Sequence, residues 1–547
     1  MASIKIGDKV CQFEGKKTVL QVALEHGVEI PHYCYHPGLT VVASCRICLA
    51  EVATPNPKTG ELQRIPKLIP TCQQPASDGM EVYLDSELTR ANQKAVMEYL
   101  LINHPLDCPV CDQAGECYLQ DYSYKYGRAY SRFEETKVKN PKKDVGPHII
   151  LYADRCIMCT RCVRFTREVT GTNELCVTGR GNKEEIDVFP GKALDNELSG
   201  NVADICPVGA LLDKDFLFEQ RVWYLTSTPS IDGVTASGDN IWIDHNKGRV
   251  WRFKPRHNPQ VNKWWISDEI RYGWKFVHDV NRLRSPSVTI SDKTTDCDWD
   301  VAYAEVLAGF RKVVQAGQRL AAMLSPMLSC EDAFLLAKAI RELDPQAILG
   351  VGPVPRFGQD KTFPGGYTLY AEKAPNARGV RRMLGHIAGE QNVLDFDGFF
   401  AMLNNEGPRR HNVGGVLLTG NYPSAWVTTR LSETLAGRFV TLIDTLPNSL
   451  ANRAHVVLPG ATWVEKTGTF QNIQNRLQGF EQAIAPLEGC KAEAQIGLDL
   501  LALLRGEAPQ RYNVQTVRPQ LDAGFTTDLH TPPRDAVAEP EMEFAEF

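Results

Sequence analysis

The sequence of 547 residues contains no run of about 18 uncharged apolar residues, so no segment reads as a membrane span. It begins Met1-Ala2-Ser3-Ile4-Lys5 and passes straight into strand-like alternation, without the charged and apolar regions of a secretory leader. There is no basic excess: 60 Lys and Arg stand against 66 Asp and Glu, a formal net charge of -6. That argues against a nucleic-acid surface, which requires such an excess. The charge has a local source, because residues 521–547 hold seven acidic residues and one basic residue, Arg534. This acidic tail, which contains Pro532, Pro533 and Pro540, is expected to be disordered or ordered only against a partner. Gly350, Gly352 and Gly358 do not form G-x-G-x-x-G, so there is no dinucleotide fingerprint. Cysteine is sparse in the second half, where only Cys297, Cys330 and Cys490 follow Cys206.

The other thirteen of the 16 cysteines lie at or before Cys206. Crowded C-x-x-C pairs in a long chain of ordinary composition point to metal binding or redox chemistry rather than a secreted disulfide scaffold. The first group is Cys34, Cys45, Cys48 and Cys72. Its plan is that of plant-type [2Fe–2S] ferredoxins, with a longer first loop: three thiolates from a tight loop and a fourth further on. A zinc site would prefer two C-x2-4-C knuckles, and only one is present. Before it, residues 3–13 read as a hairpin around Gly7-Asp8, and residues 18–26 as a helix capped by Thr18 and ended by Gly27. Cys11 falls outside the pattern and reads as a buried small apolar residue. Arg46, between two ligands, would offset cluster charge.

The second group is His104, Cys108, Cys111 and Cys117. Pro105, Pro109 and Gly115 force a loop, so the side chains can turn inward. Three thiolates and an imidazole suit either a cluster or a structural zinc, and the local chemistry leaves both open. The preceding helix, Leu84 to Ile102, is expected to place Leu88, Ala91, Ala95, Val96, Tyr99 and Leu100 in the core. The third group is Cys156, Cys159 and Cys162, joined by a distant Cys206-Pro207. In bacterial ferredoxins a fourth cysteine of the run serves a second cluster. Thr166 stands there, so one [4Fe–4S] cluster is expected. Arg155, Arg161, Arg164 and Arg167 crowd this loop and would moderate its charge, and Cys176 reads as structural. Twelve ligands, four for each of three clusters, make sense as an electron relay.

The order of motifs resembles the large iron–sulfur subunits, of the G or 75-kDa type, of respiratory complex I. The likeness is carried by residues 31–38, 44–52, 104–117, 156–164, 179–181 and 197–210. It implies a [4Fe–4S] cluster, not zinc, at His104, and iron held by the same twelve residues. It implies an electron-transfer role in NADH:quinone oxidoreductase, a complex coupled to proton translocation, with no complete active site on this chain. The implied partners are the flavoprotein (NADH/FMN) subunit with its small [2Fe–2S] companion, a two-cluster ferredoxin-like subunit, and the quinone-site subunits. The implied location is peripheral, on the cytoplasmic side of the bacterial inner membrane. Many bacterial relatives carry a fourth cluster after Pro229-Ser230-Ile231. Here Asp232, Thr235 and Asp239 stand in the thiol positions, so that cluster is expected to be lost.

The second half alternates apolar runs (320–324, 347–351, 415–419, 440–443, 456–458) with helical stretches, an α/β pattern. Residues 420–423 and 456–472 resemble the molybdopterin oxidoreductases. The expected fold class is multidomain α+β and α/β. It comprises a β-grasp [2Fe–2S] ferredoxin domain (1–82), a [4Fe–4S] domain with one histidine and three cysteine ligands (83–147) and a ferredoxin-like [4Fe–4S] domain (148–220). A small β domain (221–280), a molybdopterin-oxidoreductase-like α/β scaffold (281–520) and the acidic tail (521–547) follow. The chain itself is expected to hold no molybdopterin, FMN or NAD. Competing readings are the electron-input part of an NAD-linked hydrogenase, which shares the first three motifs, and a formate dehydrogenase catalytic subunit. The singleton cysteines do not supply a hydrogenase cluster site.

Overall fold

The computed structural model describes residues 1–547 except 292, 405, 407–410, 523, 526–528 and 531–547. The chain forms two compact units, Met1–Leu225 with Phe363–Tyr367, and Thr226–Thr362 with Thr368–Phe547. Among the described residues no helix is long and apolar enough to cross a membrane.

The first unit opens with the expected hairpin, Ala2–Ile6 against Lys9–Phe13, turned at Gly7 with φ 58°. Helix Val19–Glu25 follows, with Thr18 and Gln21 forming a reciprocal cap, the arrangement that satisfies two orphan N–H groups at a helix start. The sheet order is Lys9–Phe13, Ala2–Ile6, Met80–Tyr83, Leu49–Pro55, Leu62–Arg64, with Ile69–Pro70 beside Leu49–Pro55. Ala2–Ile6 and Met80–Tyr83 run parallel. This is a β-grasp sheet, and its core of Ile4, Leu20, Val52 and Val82 also takes in Cys11, Cys48 and Cys72.

The next helix is Glu87–Leu101, capped by Ser86, and its buried face is not the expected one. Leu88 and Tyr99 are exposed, at 59% and 73%, as is Ala91. Thr89, Gln93 and Met97 are buried instead. The helix packs by polar contacts: Thr89 Oγ1 accepts the Glu51 N–H and donates to Tyr83 O, and the Tyr33 hydroxyl meets Met97 Sδ at 3.1 Å. Counting apolar residues alone therefore rotated the helix. Further on, Leu211–Asp213, Ile149–Tyr152 and Lys142–Asp144 make a three-stranded sheet.

The second unit begins with an antiparallel sheet of Thr226–Ile231, Asn240–Asn246 and Arg249–Pro255. Its main sheet has seven strands, ordered Lys293–Asp296, Ser287–Ile290, Val456–Pro459, Phe439–Asp444, Val413–Thr419, Arg319–Leu324, Ile348–Val351. The last five are mutually parallel. Taken in chain order these five run 2-1-3-4-5, a doubly wound arrangement whose ligand crevice falls between strands 1 and 3. Tyr422, 2% exposed, lies beyond the end of the third, its hydroxyl donating to Pro353 O at 2.7 Å. The acidic-tail expectation is corrected at its start. Leu521 and Phe525 are buried in the core, and Asp522 pairs with Arg382. Most of the tail lies outside the described residues.

Candidate iron–sulfur sites

The first loop brings its four cysteines together in two pairs. Cys34 and Cys45 sulfurs are 3.5 Å apart, and Cys48 and Cys72 sulfurs 3.6 Å apart. Sulfurs on one tetrahedral metal with bonds near 2.3 Å are spaced about 3.8 Å apart. Two adjacent pairs therefore suit two irons, each taking two thiolates. Within the pairs the hydrogen bond to Cys45 holds Cys34 down to about 5, and that to Cys72 holds Cys48 at about 7. Each pair thus gives up one proton readily, as metal binding requires, while the shared hydrogen bond pushes the partner thiols Cys45 and Cys72 up.

Four cysteines of the third group, Cys156, Cys159, Cys162 and Cys206, line one pocket. Its other walls include Leu151, Ile157, Ile186 and Val208. Burial pushes Cys156 up to about 12 and Cys159 up to about 11. Burial raises Cys206 as well, and the backbone N–H groups of Val208, Leu211 and Ala210 face it and oppose its rise. Such amide concavities recur at Fe–S sites. The turns that build them need left-handed backbone at non-glycine residues: Ala43 and Arg46 in the first loop, Met158 and Thr160 in the third, with φ of 52–60°. Local strain of this kind concentrates at functional sites.

In the second loop burial pulls His104 down to about 4 and pushes Cys117 up to about 12. The imidazole is therefore neutral near pH 7, as a ligand must be. His104 Nδ1 is buried and has no hydrogen-bond partner, an orphan that a bound group would satisfy. Cys111 Sγ lies against Gly209, where an added Cβ would come within 2.4 Å. Among the described residues no three His, Cys, Asp or Glu side chains are drawn close enough to hold a single ion.

Three buried arginines join the loops. Arg155 donates from Nη2 to Asp107 Oδ2 at 2.6 Å and from Nη1 to Gly209 O at 3.4 Å. It links the second loop to the turn after Cys206. Arg161 donates to Ile205 O at 3.1 Å and to Tyr35 O at 2.6 Å. Arg164 donates to Thr40 O, Cys34 O and Cys159 O. The third group therefore contacts both of the others. Tyr118 N–H also donates to Pro207 O at 3.2 Å. Between the first and second loops the packing is aromatic, Tyr33 against Tyr122 with centroids 5.3 Å apart. Arg46 and Arg167 are exposed, so the cations the sequence placed beside the clusters are only partly the ones that are buried there. Cys11 is fully buried and Cys176 half-buried on a strand. Thr166 is buried, its hydroxyl returned to Val163 O at 3.2 Å.

In the second unit Asp232 is buried and accepts the N–H groups of Val234 and Thr235 and the hydroxyls of Thr235 and Ser237. The expected thiol positions are thus occupied by a carboxylate-centred turn.

Family models match in the same order as the motifs. Residues 1–87 match a 2Fe-2S iron-sulfur cluster binding domain, and 93–132 the NADH-ubiquinone oxidoreductase-G iron-sulfur binding region. Residues 146–212 match the ferredoxin-like domain of NADH-quinone oxidoreductase subunit 3, and 393–502 match Molybdopterin oxidoreductase. Residues 225–275 match an NDSU1/NuoG-like 4Fe-4S domain, although this segment contains no cysteine. The G subunit of NADH-quinone oxidoreductase from Rickettsia felis is 37% identical over 343 residues, 63% of this chain and 49% of the relative. The NADH-ubiquinone oxidoreductase 75 kDa subunit of Reclinomonas americana is 38% identical over 326 residues, 60% of this chain and 45% of the relative. The mitochondrial 78 kDa subunit of Neurospora crassa is 40% identical over 330 residues, 60% and 43% of the two chains. The chain spans about half the length of these relatives or less. A solved NAD+-reducing [NiFe]-hydrogenase chain in the H2-reduced state is 29% identical, with a TM-score of 0.35, covering 40% of this chain and 91% of that one.

Proposed function

With its iron–sulfur region belonging to the family of G and 75-kDa subunits of NADH-quinone oxidoreductase, we propose that this chain relays electrons through three clusters towards a quinone. The ligands proposed are Cys34, Cys45, Cys48 and Cys72 for a [2Fe–2S] cluster. His104, Cys108, Cys111 and Cys117 hold one [4Fe–4S] cluster, and Cys156, Cys159, Cys162 and Cys206 the other. When bound, the clusters supply one-electron carriers whose potentials follow ligand type, hydrogen bonding and burial. The chain's own part is to space them, exclude water and set their charge environment. The observation that carries the reading is the joining of three cysteine loops by buried arginines.

That joining also supports a spatial order unlike the order in sequence. We infer that electrons pass from the first site to the third and then to the second: buried arginines of the third loop are hydrogen-bonded to both others, whereas the first and second loops meet through the Tyr33–Tyr122 ring contact and surface pairs of Glu29. The chain is an oxidoreductase subunit whose NADH and quinone chemistry, and any coupled proton translocation, take place on its partners. The proposed partners are the flavoprotein subunit with its [2Fe–2S] companion, the two-cluster ferredoxin-like subunit and the quinone-site subunits. Its association with the membrane is peripheral, on the cytoplasmic face. The 393–502 region acts as a scaffold, a reading supported by Tyr422 at the point where a doubly wound sheet would take a ligand.

Anaerobically purified chain should contain about ten irons, two plus four plus four for these cluster types. Electron paramagnetic resonance of the reduced chain should show one [2Fe–2S] and two [4Fe–4S] signals. His104→Ala should abolish one [4Fe–4S] signal, and its failure to do so would remove the second assignment. Spin-relaxation distances should be longest between the first and second sites. Molybdenum or tungsten in the purified chain would favour the formate dehydrogenase reading instead.

A further inference from the structure

Arg164 ends the short helix Arg161–Arg164 and is 3% exposed. Its Nη2 lies 2.5 Å from Cys34 O and 3.3 Å from Cys159 O, and its Nη1 2.5 Å from Thr40 O. One guanidinium thus holds the backbone of a ligand from the first site and of a ligand from the third. All three acceptors are neutral carbonyls, and Nε is buried without a partner. Glu168, which acts on it from a distance, is itself taken up by Thr40 N–H, the Thr40 hydroxyl and Arg167. A buried cation with no carboxylate in contact is costly unless an anion is bound nearby.

We propose that Arg164 is a positioning residue shared by two clusters, compensating the negative charge of the first and third sites together and so setting both reduction potentials in step. The proposal rests on the reading that both sites hold clusters. Reduction adds one electron, and hence one negative charge, to a thiolate-bound cluster. A fixed cation in a low-dielectric setting favours the reduced form. Because the same guanidinium faces both sites, its removal acts on both. The planar fork matters as well as the charge, since a single ammonium on a flexible stem does not span several carbonyls as a guanidinium does.

The test is a redox titration of the reconstituted full-length chain, followed by electron paramagnetic resonance, for wild type, Arg164→Gln, Arg164→Lys and the exposed control Arg167→Gln. Iron and sulfide content are measured first, so that failure of the three-cluster reading shows as missing iron in wild type. Arg164→Gln is expected to make reduction of both the [2Fe–2S] and the Cys156-group cluster at least about tenfold less favourable, a shift of about 59 mV for a one-electron couple. The His104-group cluster and Arg167→Gln should stay within about threefold. Arg164→Lys, which keeps the charge, should load fully and fall between wild type and Gln at both sites. If Arg164→Gln does not load, the Lys variant decides: a shift at both sites supports the proposal, and a shift at one or neither overturns it. A Gln variant that moves only one cluster, or a Lys variant as displaced as Gln, overturns it too.

Discussion

In the second unit, three buried cations are closed against carboxylates, while a fourth, Arg256, donates to Ile241 O and Ser230 O. Arg282 meets Glu465 at 2.7 Å with both side chains 0% exposed, Lys466 sits between Asp332 at 2.8 Å and Glu493 at 2.5 Å, and Arg518 meets Glu331 at 3.0 Å. In the first unit the buried arginines end mainly on carbonyls. Of Arg155, Arg161 and Arg164, Arg155 alone touches a carboxylate, that of Asp107, and Arg161 and Arg164, like Arg282, each keep an unpartnered buried Nε–H. Burying an ion is tolerated when it is paired and hydrogen-bonded. Arg282, Lys466 and Arg518 meet that condition from the second unit's own residues. In the first, Arg155 meets it through Asp107, and for Arg161 and Arg164 negative charge gathered at the cysteine loops would meet it. The one region closes Arg282, Lys466 and Arg518 with its own carboxylates, and the other leaves Arg161 and Arg164 on carbonyls beside its cysteine loops.

The strongest way to break this contrast is to remove the clusters. Chelation, or Cys162→Ser, should remove amide hydrogen-exchange protection from residues 34–48, 104–117 and 156–210. Protection in the seven-stranded sheet should persist, and its collapse would mean that the second unit is not self-sufficient. Next in size, Arg282→Met should destabilise the second unit by about 3–5 kcal/mol by leaving Glu465 buried and unpaired. Arg282→Met with Glu465→Leu should recover most of that loss, and both should leave the cluster spectra unchanged.

A pH effect sharpens the comparison within the second unit. Burial pushes Asp232 up to about 6. The native fold therefore favours the protonated acid. Its stabilising contribution is full below the unfolded value near 4 and is lost as pH rises through about 6. Relative to Asp232→Asn, wild type should gain up to about 3 kcal/mol between about pH 7 and pH 4, read from paired thermal melts. The smallest effect is expected from Gly209→Ala, whose new Cβ would press on Cys111 Sγ. Overpacking there should cost about 1–3 kcal/mol and lower the His104-group signal while sparing the second unit.

Local order was readable in advance because its causes are local. The hairpin follows from alternation around Gly7, the first helix from Thr18 and Gln21, and the parallel strands from apolar runs such as 320–324 and 440–443. The cysteine groups were legible because ligand spacing is a short-range signal, and the structure gathers Cys34 with Cys45, Cys48 with Cys72, and the third group around one pocket. The face of helix Glu87–Leu101 was not legible, since Thr89, Gln93 and Met97 are buried through polar partners that periodicity does not register. Nor was the bridging by Arg161 and Arg164. Their acceptors lie 124 to 130 residues away for the first loop, and no local pattern separates them from exposed Arg167. Neither the core positions of Leu521 and Phe525 nor the bridging role of the third loop could be drawn from spacing.

The late position of Arg164 in the chain has a bearing on biogenesis. Cys34, Cys45, Cys48 and Cys72 all leave the ribosome before it does. The interval from Cys72 to Arg164 is roughly 90 residues, or on the order of 5–20 s of elongation. Throughout that window the nascent ferredoxin domain presents its thiols without the guanidinium that later holds Cys34 O and Thr40 O. Ribosome-bound chains arrested before residue 160 should therefore hold a [2Fe–2S] cluster less firmly than chains arrested after residue 210, giving the first site a maturation step that awaits synthesis of the third.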